Sequence, residues 1–314
     1  MIRTLILGSA MAGVLAFGAL SAAQDEAPTL GDIVDIIEAD SGDIVDAVVE
    51  GDAANKALIS AAKADPANWR QVDASRLMVF ETTKGRIIIE AFAEFAPLHV
   101  AQYSAIVRSG DYNGTSFHRV IEGFMAQGGD VFALHGRESG LPNIQAEFTF
   151  RRDPAALSFD MLGDPNRATE GYYLGLPIRT ESKWLAELNK DGLVESSIPH
   201  CQGVVSSARL GNDVNSANAQ FFLLRAHSDW LDKEYSPWGR IVDGQDAVQA
   251  LKIGEPVANP DILTRAYMMA DLPEAEQVKV WVARTDGPDF AETLASNPDT
   301  HVCDLPAVAT LIEG

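Results

Sequence analysis

The chain has 314 residues, 46% of them hydrophobic and 22% charged, which describes a soluble globular protein with room for one large domain or two ordinary ones. Its formal net charge of −21 repels DNA, RNA and anionic lipid surfaces, so no nucleic-acid partner is expected. Solubility alone accounts for such acidity.

Residues 1–23 read as a secretory signal: Arg3 supplies the positive end, Leu5 to Leu20 the apolar segment, and Ser21-Ala22-Ala23 a small-residue cleavage site. The apolar run is short for an uncleaved anchor, and nothing basic or aromatic flanks its far end. Cleavage after Ala23 would leave Gln24 first and no membrane span. With no Cys at the cleavage site, a lipid anchor is not expected, and the destination is the periplasm or the medium. Residues 24–72 form an acidic helical segment in which "GDIVDIIEAD" nearly recurs as "GDIVDAVVEGD"; Ile33, Ile36, Ile37 and Ile44, Val45, Val48 fall at helical spacing. The aspartates miss the offsets of a calcium-binding loop.

At Asp73 the texture changes. "RLMVFETTKGRIIIEAF" alternates and then runs β-branched, a hairpin with its turn at Lys84-Gly85. "APLHVAQYSAIVRSG" returns to helical spacing, with Pro97 in the first turn and Gly110 as the stop. Short strands follow at Phe117–Ile121, Phe124–Gln127, Gly203–Ala208 and Gln220–Leu224, and "WGRIVDGQDAVQAL" adds strand, turn and helix. Many short strands and few helices predict a mainly β fold, a closed antiparallel barrel rather than a parallel sheet. Between them, residues 149–202 hold Tyr172, Tyr173, Trp184 and Cys201 and are expected to fold as an insert. Beyond the main domain (73–251), residues 252–314 form an extension in which Arg265–Asp271 and Val278–Arg284 would supply a further helix and strand. Cys201 and Cys303 are the two cysteines. In an exported chain an even count favours a disulfide, with two unpaired buried thiols as the alternative.

The stretch "SFHRVIEGFMAQGGD" (116–130) carries the chemistry, and its poverty in reactive groups is informative. The chain shows no G-x-S-x-G elbow, H-E-x-x-H pair, P-loop or dinucleotide glycine triplet, so neither metal nor cofactor is expected. His118 has no second ligand at metal spacing and reads as a structural imidazole. One cation among apolar and aromatic side chains suits a reaction without bond breaking, rotation about a peptide bond preceding proline. That bond resists twisting by about 18–20 kcal/mol because resonance gives it double-bond character. When it twists, the proline nitrogen regains a lone pair, and a fixed guanidinium donor stabilises that state above either planar one.

"FHRVIEGFMAQGGD" resembles the signature of the cyclophilins, F-H-R-V-I-x-G-F-x-x-Q-G-G-D. The likeness continues in "TTKGRIIIEAFAEFAPLHVAQYSAIVRSGDYNGTSFHR", "PNIQAEF", "NSANAQFF", "WLD" and "WGRIVDGQDAV", covering about Leu77–Phe148 and Gly203–Leu251. The resemblance implies an eight-stranded antiparallel barrel capped by two helices and peptidyl-prolyl cis-trans isomerase activity on proline-containing, unfolded or partly folded polypeptides. It implies Arg119 as the catalytic donor and Gln127 as its orienting partner. Phe124, Met125, Phe222 and Leu231 would line the proline pocket, with Trp230 on its far side and Phe117 in the core. Gln220 and the backbone around Ala208–Arg209 would align the peptide. Three positions depart from the usual pattern: Tyr235 stands where His is frequent, Arg209 where Asn is common, and Ser207 where Met is usual. Isomerisation in the folding of exported proteins is the expected function; a non-catalytic chaperone or scaffold holding proline segments in the same groove is the alternative.

Overall fold

The computed structural model describes residues 44–314 apart from Pro165. Residues 1–23, read above as a signal with its cleavage site, and the first acidic repeat lie outside the described residues. Among the described residues, those up to Pro66 form one compact unit and those of Ala67–Gly314 another. In the first, helix α1 runs Ile44–Ala64. No helix among the described residues is long and apolar enough to cross a membrane.

The second unit begins with strand β1 (Trp69–Gln71), so the stretch read as helical to residue 72 ends in a strand. The hairpin β2 (Leu77–Thr82) and β3 (Gly85–Ala91) follows, with Thr82 paired to Gly85 across the turn residues Thr83 and Lys84. Helix α2 (Pro97–Ser109) starts on Pro97 and stops where Gly110 adopts φ +78°. Then come β4 (Arg119–Ile121), β5 (Met125–Gly128) and the short helix α3 (Val131–His135).

The insert holds β6 (Phe150–Arg152), β7 (Asp160–Met161), β8 (Glu170–Tyr173), β9 (Leu176–Thr180) and β10 (Val194–Ser197), which make their own antiparallel sheet in the order β6-β10-β9-β8-β7. The chain then returns to the main sheet through β11 (Val204–Ser207), β12 (Phe221–Leu224) and β13 (Pro237–Asp243), helix α4 (Gln245–Gln249) and β14 (Leu263–Met268). Strands β15 (Lys279–Ala283) and β16 (Thr310–Glu313) flank helix α5 (Pro288–Ser296) and complete a third sheet, β1-β15-β16.

The main sheet has eight antiparallel strands, β14-β2-β3-β13-β11-β12-β5-β4. It curls into a half-barrel, and the expected closure does not occur: β14 and β4 remain edges. The segment between α4 and β14 crosses the gap and meets the β4 side through isolated bridges, Val120 with Gly254 and Ser116 with Ile262, and scattered hydrogen bonds rather than a ladder. Pro256 and Pro260 lie in that segment and have no N–H, so a continuous ladder cannot form there. Residues 265–268, expected as part of an added helix or strand, belong to β14 and pair with β2, which carries the main sheet past Leu251.

Alternation along the strands divides the core. Met78, Phe80, Ile87, Ile89, Ala126, Phe221, Leu223 and Trp238 fill the concave side with Tyr103 and Ile106 of α2 and Val248 of α4, so two helices cover the half-barrel core. The alternate residues Met125, Phe222 and Leu224 face outward, where they pack with Tyr172, Leu176 and Ile178 of the insert and Leu294 and Val302 of the extension. Cys201 and Cys303, in the same cluster, are joined by a disulfide.

Candidate active site

Three antiparallel strands bring the central residues together. Arg119 of β4 lies opposite Gln127 of β5, and Gln127 lies opposite Phe222 of β12. Directly opposed residues share a face of the sheet, so a cation, an amide and an aromatic ring stand in one row on the outward side. Val120, Ala126 and Phe221, one step along each strand, point into the core instead.

A chain of hydrogen bonds runs along the row. Arg119 donates from Nη1 to Gln127 Oε1 (3.4 Å), and Gln127 donates from Nε2 to Gln220 Oε1 (2.8 Å). Arg119 also donates from Nε to Glu255 Oε1. The guanidinium is thus held at two of its three nitrogens. Its side chain is 35% exposed, accessible to a bound molecule while partly shielded from water.

Beside the guanidinium is a cleft of about 200 Å³ lined by Arg119, Phe124, Met125, Gln127, Ala208, Arg209, Phe222, Trp230, Leu231 and Tyr235. These are the catalytic and pocket residues expected from the motif, save Gln220. Met125, Phe222 and Leu231 are buried and form its apolar base. Trp230 is 63% exposed and forms a rim, its ring 4.7 Å from that of Phe124. Tyr235 meets Phe222 edge-on at 5.6 Å, and the Arg209 guanidinium lies 4.6 Å over the Tyr235 ring. That stack is fixed by Arg209 donating from Nε to the Glu234 carbonyl and from Nη1 to the Leu210 carbonyl, both at 2.9 Å. The Arg209 side chain therefore builds a wall, a role beyond the backbone contact expected of it.

Gln220 lines an adjoining groove of about 650 Å³, which shares Gln127, Ala208 and Arg209 with the cleft and extends past Phe132 and Asn143. The Ala208 N–H is spent within the sheet on the Gln220 carbonyl (2.9 Å), so alignment of a peptide there falls to carbonyls and side chains. A cavity of about 560 Å³ lies by the disulfide and shares no lining residue with the cleft. Phe117 is in the core, as its assignment required. Burial pushes the His118 imidazole below its ordinary pKa, and its carbonyl accepts from the Val257 N–H at 2.9 Å. Among the described residues, the cluster with metal-ligand spacing is His227, His301 and Cys303; the Cys303 sulfur is bonded to Cys201, which leaves two donors.

Three side chains near the site were given no role by sequence reasoning. Glu255 is 136 positions from Arg119 in a stretch with no motif, and no local pattern announces it. His200 and Asp232 back the pocket: Asp232 Oδ1 accepts from the His200 N–H (2.7 Å) and bonds its Nδ1 (2.9 Å), and the His200 ring stacks on Phe222.

The half-barrel thus carries one anchored guanidinium beside a largely apolar cleft whose lining holds no serine, threonine or cysteine. The family model for cyclophilin type peptidyl-prolyl cis-trans isomerases matches residues 77–269, and the chain belongs to that family. A probable peptidyl-prolyl cis-trans isomerase of Brucella abortus is 34% identical over 220 residues, 68% of this chain and 89% of that protein. Peptidyl-prolyl cis-trans isomerase cyp18 of Streptomyces antibioticus is 30% identical over 179 residues, 54% of this chain and 80% of its own length. The crystal structure of cyclophilin AquaCyp293 from Hirschia baltica is similar with a TM-score of 0.77 and 47% identity, over 81% of this chain and 97% of that one. The protein is therefore a cyclophilin-type peptidyl-prolyl cis-trans isomerase, an enzyme that binds proline-containing peptides.

Proposed function

We propose that Arg119 is the transition-state donor of this isomerase, that Gln127 orients it, and that the substrates are proline-containing segments of exported proteins during folding. One observation carries the residue assignment: the Arg119–Gln127–Gln220 chain runs along the mouth of a cleft whose base is Met125, Phe222 and Leu231. A proline ring seated on that base puts its imide nitrogen beside the guanidinium. The donor strengthens its hydrogen bond as the nitrogen pyramidalises, so the twisted state gains more than either planar isomer. Phe124, Trp230 and Tyr235 wall the ring, and Gln220 with the Ala208–Arg209 backbone meets the flanking peptide.

Export is supported by the signal-like residues 1–23 and by the Cys201–Cys303 bridge, since disulfides persist in oxidising compartments. Fractionation of cells expressing the full chain tests this. Processed protein in the periplasm or medium is expected, and an unprocessed cytosolic product would refute it.

The residue assignment is tested by refolding of a protein limited by an Xaa–Pro bond, a step that takes tens to hundreds of seconds uncatalysed. Wild type accelerates it, and Arg119→Ala loses on the order of a hundredfold in kcat/KM. Equal acceleration by both proteins removes Arg119 from the chemistry. Binding of the unfolded substrate without acceleration by wild type favours the holding module instead.

A further inference from the structure

We infer that Glu255 is a positioning residue for Arg119, supplied from outside the signature motif; this rests on the reading of Arg119 as the transition-state donor. The backbone puts Glu255 there. At the unpaired edge of β4, Val120 and Gly254 exchange two N–H···O bonds of 2.9 Å, and the Val257 N–H reaches the His118 carbonyl at 2.9 Å. Residue 255 therefore sits opposite residue 119, held on both sides. The turn admits only glycine before it: a Cβ at Gly254 would lie 2.8 Å from Val257 Cα and 2.9 Å from the Pro256 carbonyl oxygen.

The contact is made to Nε, the nitrogen that sets the plane of the guanidinium. Gln127 holds Nη1 at 3.4 Å, a long bond that leaves rotation weakly restrained by itself. With Glu255 on Nε and Gln127 on Nη1, the plane is fixed at two points. Nη2 has no hydrogen-bond partner among the described residues, and Arg119 lines the cleft. The pair is half-open to water, with Glu255 57% and Arg119 35% exposed, so its contribution to folding stability is small. Its consequence is geometric: it removes rotamers of a long side chain that must meet one atom of the substrate.

The test compares wild type, Glu255→Ala, Glu255→Gln, Arg119→Ala and the Arg119→Ala/Glu255→Ala double variant, measuring kcat and KM on a proline peptide and urea midpoints. Glu255→Ala is expected to lower kcat roughly tenfold with KM within about twofold and an unchanged midpoint. Glu255→Gln, whose amide oxygen still accepts from Nε, restores most of kcat. In the Arg119→Ala background the second substitution adds nothing, because it acts through the missing side chain. Wild-type kcat in Glu255→Ala, equal losses in the Ala and Gln variants, or a loss that multiplies with Arg119→Ala would each overturn the inference. Full activity in Arg119→Ala alone would instead sink the underlying assignment of the donor, a distinct outcome.

Discussion

Breaking the Cys201–Cys303 bridge should destabilise the chain as much as a large core truncation does. The bond joins residues 102 positions apart, one in the turn leading into β11 and one in the extension after α5. Cutting it releases a loop that spans β11 to β15 in the denatured state. The chain-entropy relation for a loop of that size gives about 4.7 kcal/mol at 25 °C. The bridge also lies within the cluster of Phe222, Leu231, Tyr172 and Val302, so its loss loosens apolar contacts behind the pocket. Urea unfolding followed by tryptophan fluorescence is the assay, comparing oxidised wild type, reduced wild type and a Cys201→Ser/Cys303→Ser variant. With a slope of about 2–3 kcal/mol per molar, the midpoint should fall by about 2 M, and the slope should rise because the open chain exposes more surface. The two bridge-free proteins should coincide. A difference below about 1 kcal/mol between oxidised and bridge-free protein would refute the reasoning, showing that the denatured chain is already constrained across the loop.

Gly129→Ala should destabilise the protein by more than about 2 kcal/mol, because Gly129 has φ +77° and a Cβ there would lie 2.8 Å from both the Ala219 carbonyl oxygen and the Phe221 ring. Calorimetry checks it, and a Tm within two degrees of wild type would contradict the strain argument. Asp160 accepts from the Thr285 hydroxyl at 2.7 Å, yet burial pushes its pKa up to about 6. The folded state therefore binds this proton more tightly than the unfolded chain, and the stability it adds at low pH is lost as pH rises through about 4 to 6. Asp160→Asn, which still accepts from Thr285, should gain about 1–2 kcal/mol at pH 8, allowing for solvent screening, and nothing near pH 4. A gain independent of pH would exclude titration as its cause.

The hairpin and first long helix were legible because their signals are local. The alternation in residues 77–91 and the pair Pro97 and Gly110 fix β2, β3 and α2 within a residue or two. The row Arg119–Gln127–Phe222 was legible only through the motif, since Gln127 and Phe222 come from strands far apart in sequence and no periodicity reports their register. Closure of the barrel was expected from strand count, but strand count carries no information about Pro256 and Pro260 in the connecting segment. The aromatic content of residues 149–202 announced a folded insert. Its sheet did not show, because strands of two to five residues are too short for alternation to stand out.

The insert and the extension bear on the pocket's rigidity rather than its chemistry. Arg179 of β9 donates to Asp232 Oδ2 at 2.9 Å and to Glu170 Oε1 at 2.9 Å, and its Nη2 contacts His301 Nε2 of the extension at 2.6 Å. Asp232 follows Leu231 directly and bonds His200, whose ring backs Phe222. Ser206 Oγ completes this line, 3.2 Å from His200 Nε2. Serine, histidine and aspartate in that order have the spacing of a hydrolytic triad, and access decides against it. Ser206 and His200 are both 0% exposed, so no carbonyl reaches the hydroxyl. Burial pushes the pKa of the His200 imidazole below its ordinary value. Its two nitrogens then bond Asp232 and Ser206 as a fixed spacer. The same three residue types that would signal an esterase at a surface therefore stand here behind Phe222, as the back wall of the cleft that Arg119 lines.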